Sequence, residues 1–251
     1  MSRILQSDPT PGVRVIAFNR PDVRNAFDTQ MYLEVTAALL AADGDESVNA
    51  VVLTGEGKGF TSGQDLAEMI AIATGQIEGA GQGFIGLLNA LTTMSVPLLA
   101  AVNGAAVGLG FTMLAHCDLV LIDEAARMRV PFAEMGVPPE AASSVLFPAR
   151  FGWQQAARIL LTSDWVSAQE CVDFGLALQT CAPGTVLTET VQLAARIAAH
   201  PRSATRAITG LMREGQRDMV LAANLREQAG FSRLLGGAAT SGTLAEFAAK
   251  S

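Results

Sequence analysis

Two glycine-containing turns most constrain how this chain can fold. One lies in residues 60–66, Phe-Thr-Ser-Gly-Gln-Asp-Leu, and the other in residues 103–110, Asn-Gly-Ala-Ala-Val-Gly-Leu-Gly. Each follows a short apolar run typical of a β-strand. A turn at the end of a strand leaves backbone N–H groups unpaired, and glycine lets a ligand approach them closely. Two such turns that converge on one oxygen form an oxyanion hole, whereas the simpler interpretation is that the glycines only permit tight turns.

Composition and charge exclude several classes of protein. Half of the 251 residues are apolar, which is enough for a sizeable buried core. The formal net charge of −7 argues against a nucleic-acid-binding surface, because phosphate binding needs a basic face. Three cysteines, Cys117, Cys171 and Cys181, form no CxxC pair, and the N-terminus has no apolar signal core. We therefore expect a cytoplasmic protein with reduced thiols.

Residues 96–115 carry no charge and are long enough to span a bilayer. Pro97, Asn103 and three glycines interrupt this segment, however. The segment divides naturally into a buried strand, a glycine turn and a buried helix. We expect no association with a membrane.

Apolar periodicity predicts an α/β fold with mostly parallel strands. The predicted strands span residues 12–18, 50–54, 96–102, 119–122 and 131–132, and helical segments span 29–44, with Asp28 as N-cap, and 65–94. After residue 140 the predicted helices span 141–150, 152–161, 167–174 and 185–199, with several more up to 250. No linker separates the two halves, so residues 1–251 are interpreted as one domain.

Four segments resemble the crotonase, or enoyl-CoA hydratase/isomerase, superfamily. They are residues 19–27 (Asn-Arg-Pro-Asp-Val-Arg-Asn-Ala-Phe), 60–66, 97–104 (Pro-Leu-Leu-Ala-Ala-Val-Asn-Gly) and 117–120 (Cys-Asp-Leu-Val). They occur in the family order, and the resemblance covers nearly the whole chain. It implies a crotonase-type ββα spiral over about residues 1–195 and a helical C-terminal trimerisation region over about 196–251, in a homotrimer or dimer of trimers.

The resemblance also implies a substrate and its binding residues. The substrate is an acyl-CoA thioester, and coenzyme A enters only as part of it, with no separate cofactor or metal. The backbone N–H groups of Gln64 and Leu109 would hold the thioester oxygen. Other implied substrate-binding residues are Arg24, Ala26, Ser62, Gly63, Asp65, Leu66, Gly108, Thr112 and Phe132. For Arg24 the alternative is an ordinary solvated surface charge.

Hydratases of this family use two glutamates, one four residues after the position of Gly108 and one about twenty residues later. Thr112 and Phe132 occupy these positions here. Neither side chain can act as a carboxylate base, and the addition of water needs a group that deprotonates it. Straightforward hydration is therefore in doubt.

Glu140 is the candidate catalytic acid and base. Residues 130–144 resemble the peroxisomal type of Δ3,Δ2-enoyl-CoA isomerase, whose single catalytic glutamate aligns with Glu140. By this hypothesis the carboxylate moves a proton from C2 to C4 of a 3-enoyl-CoA. A structural alternative is that Pro138 and Pro139 open a helix and Glu140 stabilises its first turn through the macrodipole. Glu134 is the nearest rival base.

The implied function is isomerisation of enoyl-CoA in fatty-acid metabolism. One alternative keeps the fold but makes the protein a hydratase or another crotonase-type lyase or hydrolase. Another is a catalytically silent acyl-CoA-binding or scaffold protein. A metal site has little support, because the chain has only two histidines and no zinc-type spacing. His116 is interpreted as a core or helix-end residue.

Overall fold

The computed structural model describes residues 2–73, 76, 81–235, 242–243 and 247. The strands in this part are β1 (Ile4–Thr10), β2 (Val13–Phe18), β3 (Ala50–Gly55), β4 (Gly59–Thr61), β5 (Leu98–Val102), β6 (Ala105–Val107), β7 (Leu119–Asp123), β8 (Arg127–Arg129), β9 (Val166–Ser167) and β10 (Gln179–Cys181). The α-helices are α1 (Thr29–Gly44), α2 (Leu66–Ala73), α3 (Gln82–Thr93), α4 (Leu109–Thr112), α5 (Phe132–Met135), α6 (Ser143–Phe151), α7 (Trp153–Thr162), α8 (Ala168–Asp173), α9 (Val186–Ala198) and α10 (Arg202–Leu235).

The described residues form two sheets, and the larger has the strand order β1-β2-β3-β5-β7-β10. Only β1 pairs with its neighbour in the antiparallel direction; the other strands are parallel. Helices cover both faces, so β3 is apolar on both sides: Val51 and Leu53 belong to the main core with α1 and α3, and Val52 packs towards α9. Burial on both faces explains why such strands are continuous apolar runs in the sequence.

The smaller sheet positions the two glycine turns. Its strand order is β4-β6-β8-β9, and β4, β6 and β8 run parallel. The carboxyl ends of parallel neighbours lie at the same edge of a sheet. Residues 62–65 follow β4 and residue 108 follows β6, so the pairing brings the two turns side by side.

Several predicted elements are confirmed. Helix α1 has the predicted bounds, and the Asp28 carboxylate caps it by accepting the Met31 N–H at 2.8 Å. The uncharged segment 96–115 contains the predicted strand and helix, as β5 and α4, but a short strand, β6, lies within the predicted glycine turn. Within the described ranges, no helix combines the length and apolar character needed to cross a bilayer.

Two predicted elements are wrong. Residues 131–132 are not a strand, because β8 ends at Arg129 and Phe132 begins a short helix, α5. The several helices expected after residue 200 are, up to Leu235, one 34-residue helix, α10. Gly210 lies within this helix, and a single glycine in a helix interior disfavours the helix without breaking it. Most of the predicted helical region beyond Leu235 lies outside the described residues.

Candidate active site

A cavity of about 420 Å³ opens beside the two glycine turns. Its size falls in the range typical of small-molecule sites. Its wall includes these residues proposed from the sequence: Ser62, Gln64, Leu66, Gly108, Leu109, Phe132 and Glu140. Helix α10 adds Asn224, Glu227, Gln228, Phe231 and Ser232 to the wall. The turns and Glu140 therefore face one space.

The two turns approach each other closely because Gly63 has no side chain. A Cβ on Gly63 would lie 2.5 Å from the Val107 carbonyl oxygen and 3.2 Å from the Leu109 nitrogen. Gly63 also has φ +83°, a left-handed conformation that favours glycine. A Cβ on Gly110 would likewise lie 2.7 Å from the Thr61 carbonyl oxygen. These glycines allow a close approach as well as a tight turn.

The backbone directions at Gln64 and Leu109 suit the binding of an oxygen. Phe27 donates its N–H to the Gly63 carbonyl at 2.7 Å and accepts the Asp65 N–H at 2.9 Å. The Gly63 carbonyl and the Gln64 N–H belong to one trans peptide group and point in opposite directions, so the Gln64 N–H points away from Phe27. Leu109 begins α4, and the first amides of a helix have no intrahelical acceptor. Both residues line the cavity.

Tyr32 is a cavity residue that the sequence reasoning did not identify. Its hydroxyl donates a hydrogen bond to the Gln64 side-chain oxygen at 2.6 Å. Burial, together with the nearby charges of Glu140 and Glu68, raises the Tyr32 pKa well above its ordinary value, so the phenol is neutral. The sequence signal available for Tyr32 was its position next to Met31 on the buried face of α1, where a phenol hydroxyl needs a polar partner.

Glu140 carries its carboxylate in the cavity wall, where it accepts a hydrogen bond from the Thr112 hydroxyl at 2.9 Å. Thr112 is buried in α4, directly behind the wall. Loss of contact with bulk water raises the Glu140 pKa, the Thr112 hydrogen bond lowers it, and the charge of Glu227 raises it; together they bring it to about 8. A carboxyl group with such a pKa can both take and return a proton near neutral pH.

The interpretation of Glu140 as a helix-terminus residue is wrong. Pro138 and Pro139 do not open a helix, and α6 begins only at Ser143. The carboxylate at the N-terminus of α6 belongs instead to Glu227, which accepts the N–H groups of Ala142 at 2.7 Å and Ser144 at 2.9 Å. Glu227 comes from α10, more than 80 residues later in the chain.

Five of the proposed substrate-binding residues do not line the cavity found among the described residues: Gly63 and Thr112, described above, and Asp65, Ala26 and Arg24. Asp65 pairs with Arg20 at 3.1 Å, and its carboxylate caps α2 by accepting the Ala67 N–H at 3.2 Å. Ala26 is buried on the segment before the Phe27 bridge. Arg24 is exposed, and its carbonyl accepts the Ser62 N–H at 2.9 Å.

The two other titratable groups considered from the sequence have structural partners. Glu134 is exposed and forms an ion pair with Arg129. His116 is buried, and its Nε2 lies 2.8 Å from the Ala141 carbonyl oxygen. Burial lowers the His116 pKa to about 4, so the neutral ring donates to that carbonyl. In the part of the chain that the structure covers, no group of three or more His, Cys, Asp or Glu side chains could hold a metal.

Comparisons with known proteins agree with this architecture. The chain matches the enoyl-CoA hydratase/isomerase family over residues 9–241. Enoyl-CoA delta isomerase 2 from Rattus norvegicus is 34% identical over 219 residues, which are 86% of this chain and 56% of that protein. This chain therefore spans little more than half the length of that relative. The 4-chlorobenzoyl coenzyme A dehalogenase-2 from Arthrobacter sp is 31% identical over 210 residues, covering 82% of this chain and 76% of the relative.

Solved structures show the same fold over the full chain. The structure of an enoyl-CoA hydratase/isomerase from Pseudoalteromonas atlantica T6c has a TM-score of 0.92 at 31% identity and covers 99% of this chain and 97% of its own. The predicted crotonase-type fold is confirmed. The relatives differ in activity, which directs attention to the side chains around the cavity. By its sequence and its fold, the chain belongs to the enoyl-CoA hydratase/isomerase family.

Proposed function

We propose that the protein is a Δ3,Δ2-enoyl-CoA isomerase that acts on the acyl-CoA thioesters of fatty-acid metabolism. One arrangement carries the proposal: Glu140 lines the cavity that the Gln64 and Leu109 backbones also line. Glu227 lines the same cavity, but backbone N–H groups occupy both of its oxygens. Glu140 is thus the carboxylate placed for proton transfer.

The thioester oxygen binds between the backbone N–H groups of Gln64 and Leu109. These donors stabilise the negative charge that develops on the oxygen when C2 loses a proton. Glu140 takes the C2 proton, and the C–H electron pair enters the dienolate. The same carboxyl group then delivers the proton to C4, the double bond moves to C2–C3, and the carbonyl re-forms. One acid–base group is sufficient for this 1,3-shift.

The side chains at the two hydratase positions favour isomerisation over hydration. Thr112 donates its hydroxyl to Glu140, and Phe132 is an apolar part of the wall. Neither supplies a carboxylate that could activate water. An apolar wall also keeps water away from Glu140 and increases its basicity.

A two-substrate assay tests this proposal. With a 3-enoyl-CoA, we expect conversion to the 2-enoyl-CoA, because one carboxylate and the oxyanion hole suffice for that reaction. With a 2-enoyl-CoA, we expect no 3-hydroxyacyl-CoA. The measurement follows the conjugated thioester by absorbance and identifies the products by chromatography. Hydration of the 2-enoyl-CoA at a comparable rate would instead indicate a hydratase, and acyl-CoA binding without turnover would indicate a silent binding protein.

A further inference from the structure

The proposed reaction leaves Glu227 of α10 without a role, although its carboxylate is almost completely buried in the cavity wall. The burial of a carboxylate costs free energy unless hydrogen bonds or charges compensate it. The segment that follows Glu140 supplies the hydrogen bonds that compensate Glu227. Its Oε2 accepts the Ala142 N–H at 2.7 Å, and its Oε1 accepts the Ser144 N–H at 2.9 Å. Hydrogen bonds to a charged acceptor are stronger than neutral ones.

The segment that Glu227 holds has an unusual backbone. Ala141 and Ala142 have φ of +55° and +54°, the left-handed region that residues with a Cβ rarely adopt. Such a conformation persists only when surrounding contacts enforce it. His116 enforces it from one side, through its bond to the Ala141 carbonyl, and Glu227 enforces it from the other, at the Ala142 N–H.

This backbone determines where the Glu140 side chain points. The Glu140 carbonyl accepts the Ser143 N–H at 3.0 Å and the Ser143 hydroxyl at 2.6 Å, which closes a tight loop. Relaxation of Ala141 or Ala142 to negative φ would change the direction of the backbone that connects this segment to Glu140. The carboxylate would then move relative to Thr112, its hydrogen-bond donor.

We propose that Glu227 is a positioning residue for the reaction: it holds residues 141–144 in the strained loop that directs the Glu140 carboxylate into the cavity. This inference rests on the proposed function, in which Glu140 carries the proton. It makes α10 a required part of the active site, since the residue that sets the geometry of the base comes from that helix.

The charge of Glu227 has a second consequence for pH dependence. Burial raises the Glu140 pKa, the Thr112 hydroxyl lowers it and the Glu227 carboxylate raises it, while the neutral Tyr32 phenol lines the same cavity. Burial likewise raises the Glu227 pKa, and the hydrogen bonds from Ser144 and Ala142 and the charge of Arg226 lower it. The negative charge of Glu227 disfavours ionisation of Glu140. Its removal should therefore lower the Glu140 pKa and move the acidic limb of the rate profile to lower pH.

The test is Glu227→Gln, with Glu214→Gln as the matched control, because Glu214 is an exposed carboxylate on the same helix. A glutamine cannot accept both backbone N–H groups. We expect kcat with 3-enoyl-CoA to fall by about 10- to 100-fold, because small misplacements of a catalytic group have effects of that size. The KM should change little, the acidic limb should move to lower pH, and Glu214→Gln should match the wild type.

A rescue experiment separates positioning from a purely structural role. In the double variant Glu227→Gln/Ala142→Gly, glycine adopts positive φ without cost, so we expect part of the lost kcat to return. The inference is overturned if Glu227→Gln lowers only the melting temperature and leaves kcat and the acidic limb unchanged. If Glu227→Gln does not fold, the double variant alone is compared with the wild type. Its kcat must then lie below the wild-type value and its acidic limb at lower pH, or the inference fails. Retained activity in Glu140→Gln would instead refute the proposed function.

Discussion

The variant Glu140→Gln should lose isomerase activity by about 10²–10⁴-fold in kcat, the usual contribution of a general acid–base group. Glutamine keeps the size of the side chain and its contact with Thr112, but it cannot take a proton from C2. Steady-state kinetics with a 3-enoyl-CoA measure this loss. In the wild type, kcat/KM should increase with pH up to about 8, because Glu140 must be ionised to act as a base and its pKa is raised to that value.

Glu134→Gln is the matched control, since Glu134 lies six residues away and pairs with Arg129 outside the cavity. It should keep the wild-type rate.

Unfolding should not explain the loss of activity in Glu140→Gln. The folded-state pKa of Glu140 lies above its ordinary value of 4.5, so its contribution to stability is present at low pH and is lost as the pH rises through about 8. The glutamine variant should therefore be at least as stable as the wild type at pH 8. Near-normal activity in Glu140→Gln would contradict the role of Glu140.

The second large effect is expected from Gly63→Ala. The new methyl group would lie 2.5 Å from the Val107 carbonyl oxygen and 3.2 Å from the Leu109 nitrogen, so the two turns must separate. The Gln64 and Leu109 N–H groups could then no longer meet at one oxygen. We expect kcat to fall by about 10²–10³-fold, as when one oxyanion-hole donor is removed. The measurement is again isomerisation of a 3-enoyl-CoA, with circular dichroism to check folding.

Gly184→Ala is a suitable control for Gly63→Ala. Gly184 has nearly the same φ, +77° against +83°, but no heavy atom lies within 4 Å of where its Cβ would be. It therefore tests the cost of the left-handed conformation without displacing the turns. Equal losses of activity in the two variants would show that backbone strain alone, and not the meeting of the turns, explains the effect.

Local patterns in the sequence were sufficient for much of the fold. The Asp28 cap and the apolar periodicity predict α1, and the family motifs place Gln64 and Leu109 in a common cavity wall. The short strand β8 was not predicted, because three residues, Arg127–Arg129, carry no readable periodicity. The strand expected at residues 131–132 was wrong because two residues are too few to distinguish a strand from the start of a helix.

The contacts around Glu140 could not be predicted from local patterns. Glu227 reaches Ala142 across 85 residues, and no spacing rule connects a carboxylate on a late helix with that amide. The left-handed backbone of Ala141 and Ala142 was equally hidden, because alanine normally signals a helix. The trimeric assembly and the cytoplasmic location stay predictions.

A structure of the protein with a bound, unreactive acyl-CoA analogue tests the central claim most directly. We predict that the thioester oxygen lies about 2.7–3.1 Å from the backbone nitrogens of Gln64 and Leu109, the distances of a working oxyanion hole. The Glu140 carboxylate should lie beside both C2 and C4 of the acyl group. A thioester oxygen bound away from these two nitrogens, or an acyl chain whose C2 and C4 lie out of reach of Glu140, would contradict the account.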